Sequence, residues 1–563
     1  MSIVRYLSFL TALCLATASA ALAQAAAPAN DGLYLPPGFH AVMFADHLGH
    51  PRHLSVAPNG VIYANTWSGR YYAFDAVPAG GFLIALRSAD PNGPATEIVR
   101  FGPSEAEGNH GGTGVWVHAG YVYAGTNDKI TRYKLPDSGI APTGAPETVV
   151  SGLPLNGDHP MHPMAIDRDG NMYVDLGSIT NACQSQNRTA GAPGADPCTE
   201  LETRGGIWRF DANRLDQVFS PSQRFATGLR NSEAVSFDSQ GRMFAVQHGR
   251  DQLFQNWPTL YTPMQSAEQP AEELVALRQG GDYGWPACYY DGAQKRLVLA
   301  PEYGGDGGHK VGVCAQNIAP VAAFPAHWAP NDMLIYTGDQ FPTAYKDGAF
   351  IAFHGSWNRA PAPQGGYNIV FQPMKNGVAS GPWVVFADGF AGLLMDPGRA
   401  AHRPTGVAVG PDGALSVADD NGGRIWRITY SGDKAAKVAS APRAPVSAAV
   451  LPDIRGLPMP PGGSRDQLVL GDKIFRGQAA GGTCTGCHGA DGKGSTVGSN
   501  LVSGPRIWSD GTLASITNVI RTGVAKPKSH TGLMPPMGGA TLSDADLAAV
   551  ASYVWAIGYQ ARK

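Results

Sequence analysis

The chain has 563 residues, with 42 Lys and Arg against 45 Asp and Glu and a formal net charge of −3. That balance argues against nucleic acid or an anionic membrane surface as a charge-held partner, and the length exceeds the roughly 250–300 residues that one core supports. No stretch reaches the roughly 20 apolar residues of a membrane span, and 72 glycines with only 15% charged residues suit a turn-rich all-β protein.

Residues 1–23 read as a secretory signal: Arg5, an apolar run from Leu7 to Ala16, then Ala21-Leu22-Ala23 with cleavage expected after Ala23. Leu13 before Cys14 is not the small residue that a lipid-anchor site carries. The mature chain is therefore expected to be exported and soluble, in an oxidising compartment. Of seven cysteines, Cys183, Cys198, Cys288 and Cys314 are the disulfide candidates. Three pairings are open, of which the two local ones, Cys183–Cys198 and Cys288–Cys314, are favoured.

From about residue 50 to 430 one phrase recurs: a turn ending in Gly, followed by alternating apolar residues. It appears at Asn59-Gly60, Ala119-Gly120, Asp169-Gly170, Gln240-Gly241, Asp347-Gly348 and Asp412-Gly413. Such turns between apolar runs signal hairpins. Six of them predict an all-β six-bladed propeller over 33–430, with the long stretch 249–330 roofing one end. A β-sandwich or a pair of β-domains is the competing architecture.

Ser431 to Gln467 is rich in Ala, Pro and Lys, including Pro442, Pro445, Pro452, Pro458, Pro460 and Pro461. It reads as a semi-extended linker over 431–467 without a core of its own. The final segment, 468–563, has helical periodicity. Ser543-Asp544-Ala545-Asp546 forms a variant capping box, and Leu547, Val550, Val554 and Ile557 share a face. Within it Cys484-Thr485-Gly486-Cys487-His488 has the C-x-x-C-H spacing of covalent haem c attachment: two thiols for the vinyl groups and an adjacent His, His488, for the iron. A zinc site would need a second Cys/His pair, which does not follow. Met534 is the expected sixth ligand, with Met537 as the alternative, and Met/His ligation suits electron transfer. A small all-α cytochrome c domain of class I is predicted.

Several propeller segments resemble the soluble aldose dehydrogenases that depend on pyrroloquinoline quinone (PQQ), most closely the sorbosone and pyranose dehydrogenase branch. They are Asp158-His159, Gly228-Leu229-Arg230-Asn231, Gln247-His248-Gly249, Gly281-Asp282-Tyr283-Gly284-Trp285-Pro286, His354 through Arg359, and Arg403-Pro404-Thr405-Gly406. The resemblance implies PQQ as cofactor, with His159 as the general base and Arg230 polarising the quinone oxygen. It also implies Asn231, Arg403 and His110 as cofactor contacts, His354 and Arg359 toward the cofactor carboxylates, and the backbone carbonyls of Gly249 and Arg250 as Ca2+ ligands. If carbonyls bind the ion, the Arg250 side chain is expected to be nearly irrelevant. Ser178 stands where glucose dehydrogenases place a carboxylate that orients the base, so something else must hold His159. With a haem domain attached, the implied protein is a periplasmic quinohaemoprotein that oxidises a sugar, alcohol or aldehyde and passes electrons through haem to a downstream cytochrome or quinone. A calcium-dependent lactonase propeller and a non-catalytic docking propeller are the alternatives.

Overall fold

The computed structural model describes residues 29–67, 80–104, 112–126, 128–356, 358–396, 398–446, 453–482, 484–495, 498–528 and 534–560. The signal segment 1–23 and His110 lie outside them.

Six sheets, each with four antiparallel strands at its centre, form the blades of a propeller; blades 1 to 5 take theirs in chain order, and blade 6 takes three with the N-terminal strand as its fourth. Their innermost strands are Pro51–Val56, Val115–His118, Met164–Ile166, Ala234–Phe237, Pro330–Ile335 and Pro404–Val409, the first strands of blades 1 to 6. Each of these touches the next, and the sixth touches the first, so the ring is closed. Closure is made by the N-terminal strand Phe39–Ala45, which pairs with Arg424–Tyr430 as the outer strand of blade 6, Phe39 opposite Tyr430. Alternating apolar positions of neighbouring blades pack face to face. The largest such layer joins Phe350, Phe371 and Phe386 of blade 5 to Val417, Trp426 and Ile428 of blade 6.

All six turn phrases fall at the same corner, between the first and second strands of a blade. The corner needs a left-handed residue. Gly60, Gly120, Gly170, Gly241 and Gly413 supply it with φ of 79–86°, whereas in blade 5 Asp347 takes it at φ 55°. Stretch 249–330 is only partly a roof. Glu272–Leu277 and Ala322–Phe324 are blade 4 strands, and the remainder holds the short helices Leu253–Asn256 and Pro263–Glu268 and the hairpin Cys288–Asp291/Arg296–Leu299. Cys183–Cys198 and Cys288–Cys314 are the disulfides.

The linker is not free over its first half. Lys434 O accepts from Thr343 N, Ala441 N donates to Val385 O at 2.7 Å, and Ala444 N donates to the Asp388 carboxylate at 3.0 Å. Residues 434–444 thus adhere to blade 5 and the loop that follows it. The helical domain begins three residues earlier than the periodicity suggested, because Ser464 Oγ caps helix Arg465–Phe475 by accepting from Gln467 N. This helix crosses the C-terminal helix Asp544–Gln560 at Gly471, where a Cβ would fall 2.1 Å from Ala549 O. The capping box at Ser543 and Asp546 is formed on both sides, and Leu547, Val550, Val554 and Ile557 are buried. No helix among the described residues is long and apolar enough to cross a membrane.

Candidate active site and haem cradle

The end of the propeller opposite the six turns gathers the starts of the innermost strands and the ends of the second strands. Arg52 of blade 1 reaches across the axis there, to Glu233 of blade 4 at 3.4 Å and Asp420 of blade 6 at 2.8 Å. Asn231 donates to the same Glu233 at 2.9 Å, and His354 meets the same Asp420 at 2.7 Å. The candidate residues His159, Arg230, Asn231, Gly249, His354 and Arg403 are therefore brought to one end of one channel.

His159 is held in a defined tautomer. Its Nδ1 lies 3.0 Å from both Ser178 O and Ser178 Oγ, and the Ser178 hydroxyl spends its own proton on Thr180 O. Both serine oxygens must accept, so Nδ1 carries the hydrogen and Nε2 keeps a lone pair. Ser178 replaces the expected carboxylate with a hydroxyl and its own carbonyl. Burial, seconded by the nearby Arg230 charge, holds the His159 pKa well below the usual imidazole value. Arg204, itself buried, donates to His159 O at 2.6 Å and to Gly177 O at 2.5 Å, which pins the loop on both sides of the ring. Gly177 is tight because a Cβ there would fall 2.4 Å from Asn231 Oδ1 and 2.7 Å from the His159 Cβ.

Arg230 is buried and fully engaged. It donates to Asn181 O, Asn181 Oδ1, Gly249 O and Asp251 Oδ2 at 3.0–3.2 Å. Asp251 is the hub that sequence reading missed. Its carboxylate also takes Arg188 at 3.2 Å and Asn358 Nδ2 at 2.9 Å, and lies 3.5 Å from His327. Burial opposes its ionisation, but Arg230, His327 and Arg188 hold its pKa well below the ordinary carboxylate value.

Arg403 and Arg359 differ from Arg230. Arg403 donates to His354 O and Gly355 O, and Arg359 to Ala326 O and Pro363 O. Neither has a carboxylate within ion-pair distance among the described residues. Arg403 is buried and also lies over the Tyr367 ring at 5.6 Å, whereas Arg359 is half-buried; cations paired with carbonyls and no carboxylate keep charge for an anion, which fits the carboxylates of PQQ.

Calcium has a narrower basis. Gly249 N is anchored on Glu272 at 2.8 Å, and Gly249 O accepts Arg230 Nη1 with a second lone pair remaining. Among the described residues, the one cluster of three His, Cys or acidic ligand atoms is Cys183, Cys198 and Glu200, whose cysteines are joined in a disulfide. A calcium ion here would thus rest on backbone carbonyls and on oxygens brought by cofactor or water, a set compatible with that hard ion. The expectation that the Arg250 side chain is idle is corrected. Its guanidinium is buried in an ion pair with Glu302, and it donates twice to Asp251 O at 3.1–3.2 Å.

In the helical domain Cys484, Cys487 and His488 line a deep cavity with Met534, Met537, Ile507, Trp508 and Val554. His488 Nδ1 donates to Ser499 O at 2.7 Å, which fixes the remaining lone pair on Nε2, the arrangement expected of a metal-binding imidazole. Neither Cys484 nor Cys487 takes part in a disulfide. The donor set and the apolar walls fit a covalently held haem. Met534 and Met537 both reach this cavity. Met534 is the better fixed, its N–H and C=O paired with Val524 at 3.0 and 2.7 Å.

Comparison with known proteins bears on the family and the fold. An uncharacterized protein of Borreliella burgdorferi is 28% identical over 216 residues, 36% of this chain and 48% of that one. A pyrroloquinoline quinone-dependent pyranose dehydrogenase of Coprinopsis cinerea is 27% identical over 259 residues, 40% of this chain and 34% of that one. The chain thus spans less than half the length of either relative. The solved PQQ domain of the Coprinopsis cinerea pyranose dehydrogenase superposes with a TM-score of 0.56 at 20% identity, covering 70% of this chain and 97% of that domain, a likeness of fold. Residues 471–554 match the family described as cytochrome C oxidase, cbb3-type, subunit III. Residues 33–431 match the family described as TrAA12-like, and the chain, a six-bladed propeller followed by a cytochrome domain, belongs to that family.

Proposed function

We propose that the protein is an exported, periplasmic PQQ-dependent dehydrogenase that oxidises a sugar or related alcohol or aldehyde and hands the electrons to its own haem c. The observation that carries this reading is the convergence of a neutral His159, an engaged Arg230 and the ion-pair-free Arg403 and Arg359 at one end of the ring. When bound, the quinone supplies an acceptor for the hydride leaving the substrate carbon.

The chain's own residues do the rest. His159 Nε2 takes the hydroxyl proton, and Ser178 keeps that nitrogen unprotonated beforehand. Arg230, pre-oriented by Asp251 and Asn181, presents a fixed cation where negative charge develops. Arg403 and Arg359 hold carboxylates, with Asn231, His354 and His110 as the remaining cofactor contacts. The carbonyls of Gly249 and Arg250 are the proposed calcium ligands. Cys484 and Cys487 would hold the haem covalently, with His488 and Met534 as the side chains offered to its iron. Oxidising one alcohol yields two electrons, whereas the iron takes one at a time. A downstream one-electron acceptor must therefore re-oxidise the haem twice per turnover. A lactonase would want a carboxylate-rich metal cluster in this channel, and none stands there among the described residues.

The test is reconstitution of apo-protein with PQQ and calcium, followed by sugar-dependent bleaching of a dye. Turnover is expected only with both additions, and His159→Ala at full quinone loading should lose about 10²–10⁴ in rate. Full turnover after exhaustive chelation removes calcium from the proposal, and a loaded His159→Ala enzyme above a tenth of wild-type rate removes His159 as base.

A further inference from the structure

The cytochrome domain is seated on the propeller at the site end, and the contacts are specific. Asp396, in the loop after blade 5, turns one carboxylate oxygen to Gly398 N of its own loop at 2.9 Å and the other to Ala490 N of the cytochrome domain at 3.0 Å. Arg399 donates to Asp491 Oδ2 at 2.8 Å, and Asp491 is buried; the exposed Lys493 also reaches this carboxylate at 3.2 Å. Backbone meets backbone between them, since a Cβ on Gly398 would fall 2.2 Å from Gly494 O. Around the same end a Cβ on Gly481 would fall 2.3 Å from the Phe254 ring, and one on Gly539 would fall 2.9 Å from Gln252 Nε2. Such spacing leaves no room for a layer of water.

The seat has a direction. Gly539 directly follows Gly538 of the haem cavity wall, and the propeller residue facing it, Gln252, connects to the candidate active site. Arg188 donates to Gln252 at 3.1 Å and to Asp251 at 3.2 Å, and Asp251 pairs with Arg230 at 3.1 Å. A series of contacts thus runs from Arg230 through Asp251, Arg188 and Gln252 to Gly539, the neighbour of Gly538 in the haem cavity wall. The linker's adhesion as far as Ala444 removes much of the slack a wandering domain would need.

We propose that Asp396 and Arg399 form a latch that fixes the cytochrome domain on the propeller rim, so that electrons pass to the haem in a preformed dock and not by a tethered search. This rests on the functional reading above, in which the propeller is the electron source.

The test uses the full-length, loaded chain. The amide of Ala490, bonded across the interface to Asp396, reports dock opening by hydrogen exchange without any turnover. Arg399→Glu sets like charges against Asp491, and Gly398→Ala, at a position without positive φ, forces the backbones apart. Each is expected to speed Ala490 exchange and slow sugar-driven haem reduction by about tenfold or more, with direct dye reduction at the propeller unchanged. Exchange or haem reduction at wild-type rates in both variants overturns the latch. Ala490 protected in a wild-type protein whose haem sugar never reduces overturns the functional reading instead, and the electron-transfer role of the dock with it.

Discussion

Arg250→Ala tests how much the site depends on a side chain that points away from it. Arg250 and Glu302 are 2% and 0% exposed, and Trp257 Nε1 adds a third member at 2.8 Å. Truncating Arg250 leaves the Glu302 carboxylate buried with only the indole donor, and breaking a buried pair from one side costs about 3–5 kcal/mol. At an unfolding entropy of about 2.1 cal/mol/K per residue over residues 33–431, that corresponds to a melting temperature lower by about 4–6 °C. The same truncation removes two of the three donors on Asp251 O, leaving Asn181 Nδ2, which loosens the backbone that presents Gly249 and Arg250. Calorimetry of the wild type, Arg250→Ala and Arg250→Ala/Glu302→Gln measures this directly. The double variant should recover part of the loss, because its buried group no longer carries charge. A drop under about 1 °C for the single variant, with no gain from the second change, would show that the pair is not desolvated as described.

Two other outcomes are expected. Burial holds His53 and His248 near 3 and His354 near 4, and His159 well below its ordinary value, so these rings stay neutral when folded and the unfolded chain takes up their protons. They remove stability as pH falls below about 6.5; burial lifts Glu272 to about 7 and Glu273 to about 8, which removes stability as pH rises above about 4.5 and through those values. The acid limb of turnover should lie below about pH 6.5 because burial depresses His159; an acid limb above about 7 contradicts that direction. Met534→Ala should abolish the spectrum of Met-ligated low-spin haem while Met537→Ala keeps it, and the reverse pattern moves the ligand to Met537.

What could be read from the chain was what local chemistry dictates. A turn needing a left-handed residue leaves Gly at five of the six corners, and C-x-x-C-H leaves its own spacing. Capping at Ser543 likewise involves neighbours three residues apart. Asp251, Arg188 and Arg204 left no such mark. Asp251 sits two residues past the segment that resembles the dehydrogenases, but its partners are 21 and 63 positions away in sequence, as far as Arg230 and Arg188. Arg204 meets His159 O across 45 positions. Only the closed ring puts them side by side. Arg250 was misjudged for a related reason: a backbone role was legible from its neighbours, whereas its ion pair depends on Glu302, 52 residues on. The linker's Ala and Pro content pointed to a segment without a core of its own, but composition does not show that its backbone amides bond to a neighbouring blade or that Leu457 enters the core of the helical domain.

The way the ring is shut also shapes how the molecule comes into being. Phe39 and Tyr430 are opposite one another, so blade 6 lacks its outer strand until nearly 400 residues of chain have been brought together. Loop closure over that length has a large entropic cost and is slow compared with forming any single hairpin. Five blades can therefore assemble in order along the chain, whereas the sixth waits with Arg424–Tyr430 as an open edge able to pair with another molecule. Once Phe39–Ala45 is inserted, no blade remains terminal, and the ring must open as a whole before any part of it frays.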